Sequence, residues 1–362
     1  MPRKSYIYLL SLAIVAAVLI FFVSRKPLYN WDMIAYIGVV EEYSHNDLEH
    51  VHKATYEAVR RQVPADVYDG LTASIEDRRE CLMDATAFGN QLSFFRTKPL
   101  YTFLVFLFHK GGVPLVKATL LPSMIAGLLM LLVVCVWLAR YMPPVLAASV
   151  SVLFGFLPIF RELVRTSTPD ALSNMLILLS LYVIATRQPL RWTLLCLGFA
   201  ILARVDNIVF AAVAVNYVYL RNYGSKLLRL ASMGALLVTG LIGIPVLLGD
   251  SANWFTRFAF LFSVTDYVQH VRDMLYIVRT NPTYIIYALI SLFLLLKGSK
   301  GTGTVVYIVV TTVLIRLFLF PSLQERFFGA FEFSMLILSV HYLSLRYGRH
   351  TLPHQQATVE AK

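Results

Sequence analysis

The sequence predicts an all-α polytopic membrane protein, with about ten transmembrane helices (nine to twelve) and a large exoplasmic first loop carrying amphipathic interfacial helices. Three observations predict it. Apolar residues fill 58% of 362 positions and charged residues 15%, giving a mean hydropathy of +0.66. A soluble domain of that length needs far more surface charge. The apolar residues come in nearly unbroken blocks, such as 6–23 and 126–138, rather than at helical or strand period. The basic residues fall mainly in the short gaps between blocks, where they orient spans by the positive-inside rule.

That placement also accounts for the net charge of +11. No basic patch is interleaved with a foldable soluble domain, which argues against nucleic acid as a partner. Of three cysteines, Cys135 and Cys196 lie in apolar runs and Cys81 stands alone in the long loop. They form no disulfide framework or metal spacing and are expected to be packing residues.

Spans are expected near 6–23, 114–139, 145–161, 169–187, 190–203, 206–221, 228–249, 281–297, 303–321 and 328–346. The first follows Arg3 and Lys4, and no small-x-small site comes after Phe21-Phe22-Val23, so it is expected to be an uncleaved helix. Alternate ends collect Arg3 and Lys4; Arg140; Arg187 and Arg191; Arg221, Lys226 and Arg229; Lys297 and Lys300; Arg346 and Arg349, all without Asp or Glu. That side is expected to be cytoplasmic, in a bacterial inner or plasma membrane, with both termini inside. Residues 1–349 then form one transmembrane domain and 350–362 a disordered cytoplasmic tail.

The opposite side receives the loop 24–113, the connection 161–170, the island 204–207, a second segment 250–280 and the stretch 321–327. Asp32, Glu41, Glu42, Asp170, Asp206, Asp250, Asp266, Asp273 and Glu325 all fall there. Carboxylates and arginines gathered at one water interface point to a site. Within the loop, 47–63 reads as an amphipathic helix capped by Asn46 or Asp47. Segment 99–108 is strongly apolar, yet ten helical residues cover about 15 Å, so it is expected to lie in the interface or re-enter.

Four constellations meet on this side. In Asn30-Trp31-Asp32-Met33-Ile34-Ala35-Tyr36, Asp32 and Tyr36 share a helix face. Phe95-Arg96-Thr97-Lys98-Pro99-Leu100-Tyr101 opens the apolar segment. Arg161 and Arg165 precede Pro169-Asp170 at the start of a span. Arg204-Val205-Asp206-Asn207 is a polar island between apolar runs, costly near lipid unless its charges pair or face a watery cavity. Taken singly, Asp32 and Asp170 also read as helix caps and Lys98 as a snorkelling charge. Arg316, inside a span, either contacts a phosphate or snorkels to the edge. His45, His50 and His52 with Asp47 and Glu49 read as a solvated face, since i, i+2 histidines diverge on a helix. Asp266, His270 and Asp273 read as ordinary amphipathicity. A divalent metal stays an open question.

The order of these motifs resembles the GT-C class of integral-membrane glycosyltransferases, which includes the aminoarabinose transferases and protein O-mannosyltransferases. The resemblance runs over about residues 1–220, with a looser match at Gln324-Glu325-Arg326-Phe327-Phe328. It implies transfer of a sugar from a polyprenyl-phosphate carrier to a glycan, lipid or protein acceptor on the exoplasmic side, with inversion. It further implies Asp32 as the catalytic carboxylate, with Asp170 supporting it. Lys98, Arg165, Arg204 and Arg326 would hold the carrier phosphate. Tyr36, Arg96, Tyr101, Arg161 and Asp206 would support the site. Many members carry an adjacent acidic pair where this chain has Asp32-Met33, and Lys where it has Arg204.

The residue types suit that chemistry. Leaving of a lipid phosphate from an anomeric carbon builds negative charge on the departing oxygens, which fixed cations meet. One carboxylate then suffices to take the acceptor's proton. Rival readings are a transporter or flippase for a lipid-linked or anionic solute, and a non-catalytic envelope-assembly protein. A transporter should show repeated halves and charges at mid-depth; no repeat is evident here.

Overall fold

The computed structural model describes residues 3–218, 225–248 and 263–347. Predicted features at Arg221, 249–262 (with Asp250), Arg349 and the 350–362 tail lie outside the described residues. The described part is all helical, and its one pairing of extended backbone is an isolated parallel bridge between Leu28 and Thr166. Helix α1 (Arg3–Ser24) leads into six helices of the first loop: α2 (Trp31–Glu42), α3 (Leu48–Gln62), α4 (Ala65–Ala73), α5 (Glu76–Met83), α6 (Ala85–Arg96) and α7 (Pro99–Lys110). Next come α8 (Leu115–Leu138), α9 (Pro144–Phe154), α10 (Pro158–Arg165), α11 (Asp170–Ala185), α12 (Leu190–Ala203) and α13 (Ile208–Val218). The remainder is α14 (Lys226–Val238), α15 (Ile244–Leu247), α16 (Val264–Thr280), α17 (Thr283–Lys297), α18 (Lys300–Leu319) and α19 (Gly329–Tyr347).

Helices fall where the apolar blocks lie, but their lengths correct the count of ten. Among the described residues, Leu115–Leu138, Leu230–Leu247 and Gly301–Leu319 are long and apolar enough to cross a bilayer, and two bent pairs raise the number to five at most. The expected span 145–161 is one of those pairs, α9 and α10 meeting at 69°. Pro158 bars Leu157 from the helical region, so the chain turns after Phe154 and starts again. Pro282 does the same between α16 and α17, at 87°. Asp170–Ala185, Leu190–Ala203 and Val205–Val218 are apolar but shorter. The long apolar helices are consistent with a helical membrane protein. So are the outward faces that expose Ile14, Val18 and Phe22 on α1, Leu195 and Phe199 on α12, and Ile286, Leu289 and Phe293 on α17.

Helices α8 and α11 form the centre. Nearly every side chain of α11 is buried, as its largely apolar sequence favours. Helix α8 packs against α1, α7, α9, α10 and α11. A Cβ at Gly127 would collide with the Val164 side chain, so α10 rests on bare α8 backbone there.

The first loop is packed structure. Asp47 caps α3, its two oxygens accepting from the backbone N–H groups of Glu49 (3.3 Å) and His50 (3.2 Å). The helix buries Val51, Thr55, Tyr56 and Val59 on one face. Residues Met33 to Val40 of α2 are all buried, against α3, α6, α7 and α8. That packing fixes the helix whose first turn carries Asp32.

Candidate functional site

Asp32 enters the site because Asn30 ends the extended linker. The Asn30 Oδ1 accepts the Met33 N–H at 3.3 Å, which starts α2 and puts Asp32 in its first turn. Asp170 also lies in a first turn, at the head of α11, where Pro169 precedes it and no side chain caps the helix. The loop before it is pinned by the Ser123 hydroxyl, donating to the carbonyls of Thr166 (2.8 Å) and Thr168 (3.1 Å). Arg204 follows the end of α12, and Asp206 lies in the single 3₁₀ turn before α13. Arg326 comes from a second 3₁₀ turn, Glu325–Phe327, between α18 and α19.

These residues form one charged cluster. The Asp206 carboxylate accepts from Arg204 at both oxygens, 3.0 and 3.1 Å, and from Arg316 Nη2 at 2.5 Å. Arg204 also donates to Asp170, whose other oxygen accepts from the Thr168 hydroxyl at 2.8 Å. Arg326 bridges the two candidate acids, its Nε 3.4 Å from Asp170 and its Nη2 3.8 Å from Asp32. The Phe327 ring stacks against three guanidinium groups, those of Arg204 (4.3 Å), Arg316 (5.1 Å) and Arg326 (5.2 Å). Beside it lies a cavity of about 200 Å³, lined by Lys98, Arg204, Asp206 and Arg316 with walls from Phe94, Phe320 and Phe327. Buried Lys98 donates to the Phe94 carbonyl at 2.6 Å and sits 3.3 Å from the centre of that ring.

The two acids differ in access. The Asp170 side chain is 3% exposed and that of Asp32 36%. Burial in the protein-walled recess pushes the Asp32 carboxyl above the usual carboxylate range, while the positive charge of Arg326 pulls it back. Burial would raise Asp206 too, but Arg204 and Arg316 outweigh it and hold that carboxyl well below its ordinary value. Tyr36 is buried under Asp32, edge-on to Phe95 (5.0 Å) and Tyr101 (4.8 Å). Burial, with the charge of Asp32, lifts its phenol far above the ordinary range, so Tyr36 stays neutral. The Tyr101 hydroxyl donates to the Thr119 carbonyl at 2.7 Å.

Of the predicted site residues, the structure brings together Asp32, Asp170, Lys98, Arg204, Asp206 and Arg326, with Tyr36 and Tyr101 packed beneath. Three arginines fall elsewhere. Arg165 donates its Nε to the Lys26 carbonyl at 2.6 Å, because the Leu28–Thr166 bridge draws that stretch toward the linker. Arg161 is exposed. Arg96 donates to both carboxylate oxygens of Glu42, at 2.8 and 2.5 Å. Arg204 is present, but three of its N–H groups already meet carboxylates, whereas Arg316 gives one to Asp206 and keeps more capacity toward an anion in the cavity that Lys98 also lines.

Asn174 was not anticipated, and Asn207 was noted only as the end of the polar island, with no role. Asn174, 1% exposed, donates to the carbonyls of Asp170 (2.8 Å) and Arg326 (2.7 Å) and accepts the Ala330 N–H at 2.6 Å. Asn207 donates to Ser173 Oγ (2.8 Å) and the Ala200 carbonyl (2.7 Å). Both are polar residues in buried apolar helical surroundings, one turn beyond or directly beside a site acid. That spacing was the available signal. Among the described residues no group of three or more His, Cys, Asp or Glu is placed to hold a metal ion. His52 bonds the Cys81 carbonyl at 2.9 Å, and His45 stacks on His50 at 4.2 Å. His270 bonds the Asp266 carbonyl at 2.8 Å and Asp273 accepts from Gln269 at 2.9 Å, so both are used within α16. No protein-family model matches the chain, and neither a curated protein nor a solved structure shows significant similarity to it.

Proposed function

We propose that this chain is a membrane glycosyltransferase that moves a sugar from a polyprenyl-phosphate-linked donor to an acceptor hydroxyl at the exoplasmic face. One observation carries the proposal: Asp32, the most exposed acid of the cluster, meets Arg326, and Arg326 is joined through Asp170 to Arg204, which lines the cavity together with Lys98 and Arg316. The Asp32 carboxylate takes the proton of the acceptor hydroxyl. The acceptor oxygen bonds to the anomeric carbon as the bond from that carbon to the phosphate oxygen breaks. The electron pair leaves with the lipid phosphate, which Lys98, Arg316 and Arg326 receive. A single displacement of this kind inverts the anomeric centre.

The membrane path in this proposal is GT-C-like, with both termini inside. The shorter apolar helices then cross as bundle-protected spans completed by flanking residues, as irregular or short segments can when neighbours cover their backbone. Asp170 and Asp206 serve as counter-charges rather than reacting groups.

The test compares cells carrying the wild type and Asp32→Asn at equal membrane levels, reading envelope glycans and lipid-linked sugars. The variant should lose a glycan product and accumulate the lipid-linked sugar. An unchanged glycan profile with folded Asp32→Asn protein would overturn the proposal.

A further inference from the structure

We infer that the molecule has a second ligand site, at the end of α11 opposite Asp170, and that it takes the phosphate of an anionic phospholipid headgroup. Helix α11 has 16 residues, so the two ends lie about 24 Å apart. Between the last turn of α11, the end of α13 and the start of α18 opens a cavity of about 450 Å³, larger than the one beside Lys98. Ile184 and Val305 wall it with apolar surface, while Arg187, Tyr217 and Thr304 bring polar groups.

The chemistry there selects an anion. Arg187 puts a guanidinium on the rim, in the fork geometry that suits phosphate oxygens. Gly301 is the second residue of α18, and its N–H has no acceptor within the helix. A Cβ at that position would meet nothing, so the backbone is open to the cavity. Lys226 and Lys297 lie at the same end, and the segments 186–191, 225–229 and 297–304 contain no Asp or Glu. Those segments therefore place no carboxylate against a negative group. Two further features favour a lipid over free phosphate. Tyr217 packs against Tyr307 with ring centres 4.5 Å apart and planes tilted by 30°, the amphipathic ring pair expected at headgroup depth. Leu190, Leu227 and Leu296, at the same end, expose their side chains to whatever surrounds the bundle.

Arg187 also supplies a separable test. It has φ +53°, the left-handed region, and follows α11 where the Gln188 N–H reaches back to the Val183 carbonyl at 3.0 Å. Glycine adopts that cap with less strain. Arg187→Gly thus removes the cation while keeping, or improving, the helix end.

Full-length protein would be placed in nanodiscs of phosphatidylcholine alone, in phosphatidylcholine with phosphatidylglycerol, and in phosphatidylcholine with inorganic phosphate added, and melted. Phosphatidylglycerol should raise the wild-type melting temperature, and inorganic phosphate should not. Arg187→Gly should lose more than half of that rise while melting no lower than wild type in phosphatidylcholine. Arg187→Lys should keep most of the rise, and Arg191→Gln, on the neighbouring exposed surface, should keep all of it. The proposal is overturned if Arg187→Gly retains the full rise, if Arg191→Gln loses as much as Arg187→Gly, or if inorganic phosphate matches phosphatidylglycerol. The outcome is independent of sugar transfer.

Discussion

The carboxylate of Asp206 accepts three hydrogen bonds from two arginines, whereas that of Asp32 meets one arginine at 3.8 Å and keeps 36% of its side-chain surface open. The two acids belong to one cluster and answer to different physics. Asp206 is held ionised by charges it cannot leave, so its removal strands Arg204 and Arg316 in a poorly solvated place. Asp32 is only loosely held, in a recess that resists its charge, which is the condition of a group meant to gain and lose a proton. Taking away the first should cost stability; taking away the second should cost chemistry.

The largest expected effect is on the open side. Asp32→Asn should lower transfer by about 10²- to 10⁴-fold, the usual worth of a positioned general base, with the melting temperature unchanged. A matching loss of stability would erase the distinction. On the locked side, Asp206→Asn should destabilise the protein by about 3–5 kcal/mol, read from denaturant or thermal unfolding in detergent. Asn174→Ala should cost about 1–3 kcal/mol, because the Arg326 carbonyl and the Ala330 N–H lose their partner, and it should weaken activity by loosening Arg326.

Arg326→Gln sharpens the comparison through pH. Arg326 favours the ionised form of Asp32, so its removal raises that pKa further. A base must be ionised to act, and the acid limb of the kcat/KM profile should therefore move to higher pH. A shift to lower pH would mean that Asp32 is not the group being titrated. The smallest effect belongs to Arg165→Ala, which should cost about 0.5–1.5 kcal/mol for the bond to Lys26 and leave the pH profile untouched.

Much of this was legible in the residues. Apolar blocks located the helices, and Asp47 could be picked out as a cap before α3. Pro158 and Pro282 stood in plain view as breaks, but the span count came out too high because block hydropathy does not show where a helix ends, and Asp170–Ala185, Leu190–Ala203 and Val205–Val218 are apolar yet short. The pairing of Arg316 with Asp206 across 110 residues was not legible, because sequence gives no angle between helices. Nor could Arg165 be told from Arg204. Both precede or follow a span on the same face, and only the Leu28–Thr166 bridge decides that one turns away.

That bridge has a consequence for biogenesis. Ribosomes deliver the chain from one end, so the arm bearing Asp32 is made long before Thr166, its docking strand, and longer still before Arg326. Until they are made, the segment carrying Asp32 lacks both the bridge that docks it and the arginine beside its acid. The charged cluster is therefore completed only once the residues around Arg316 and Arg326 have been made.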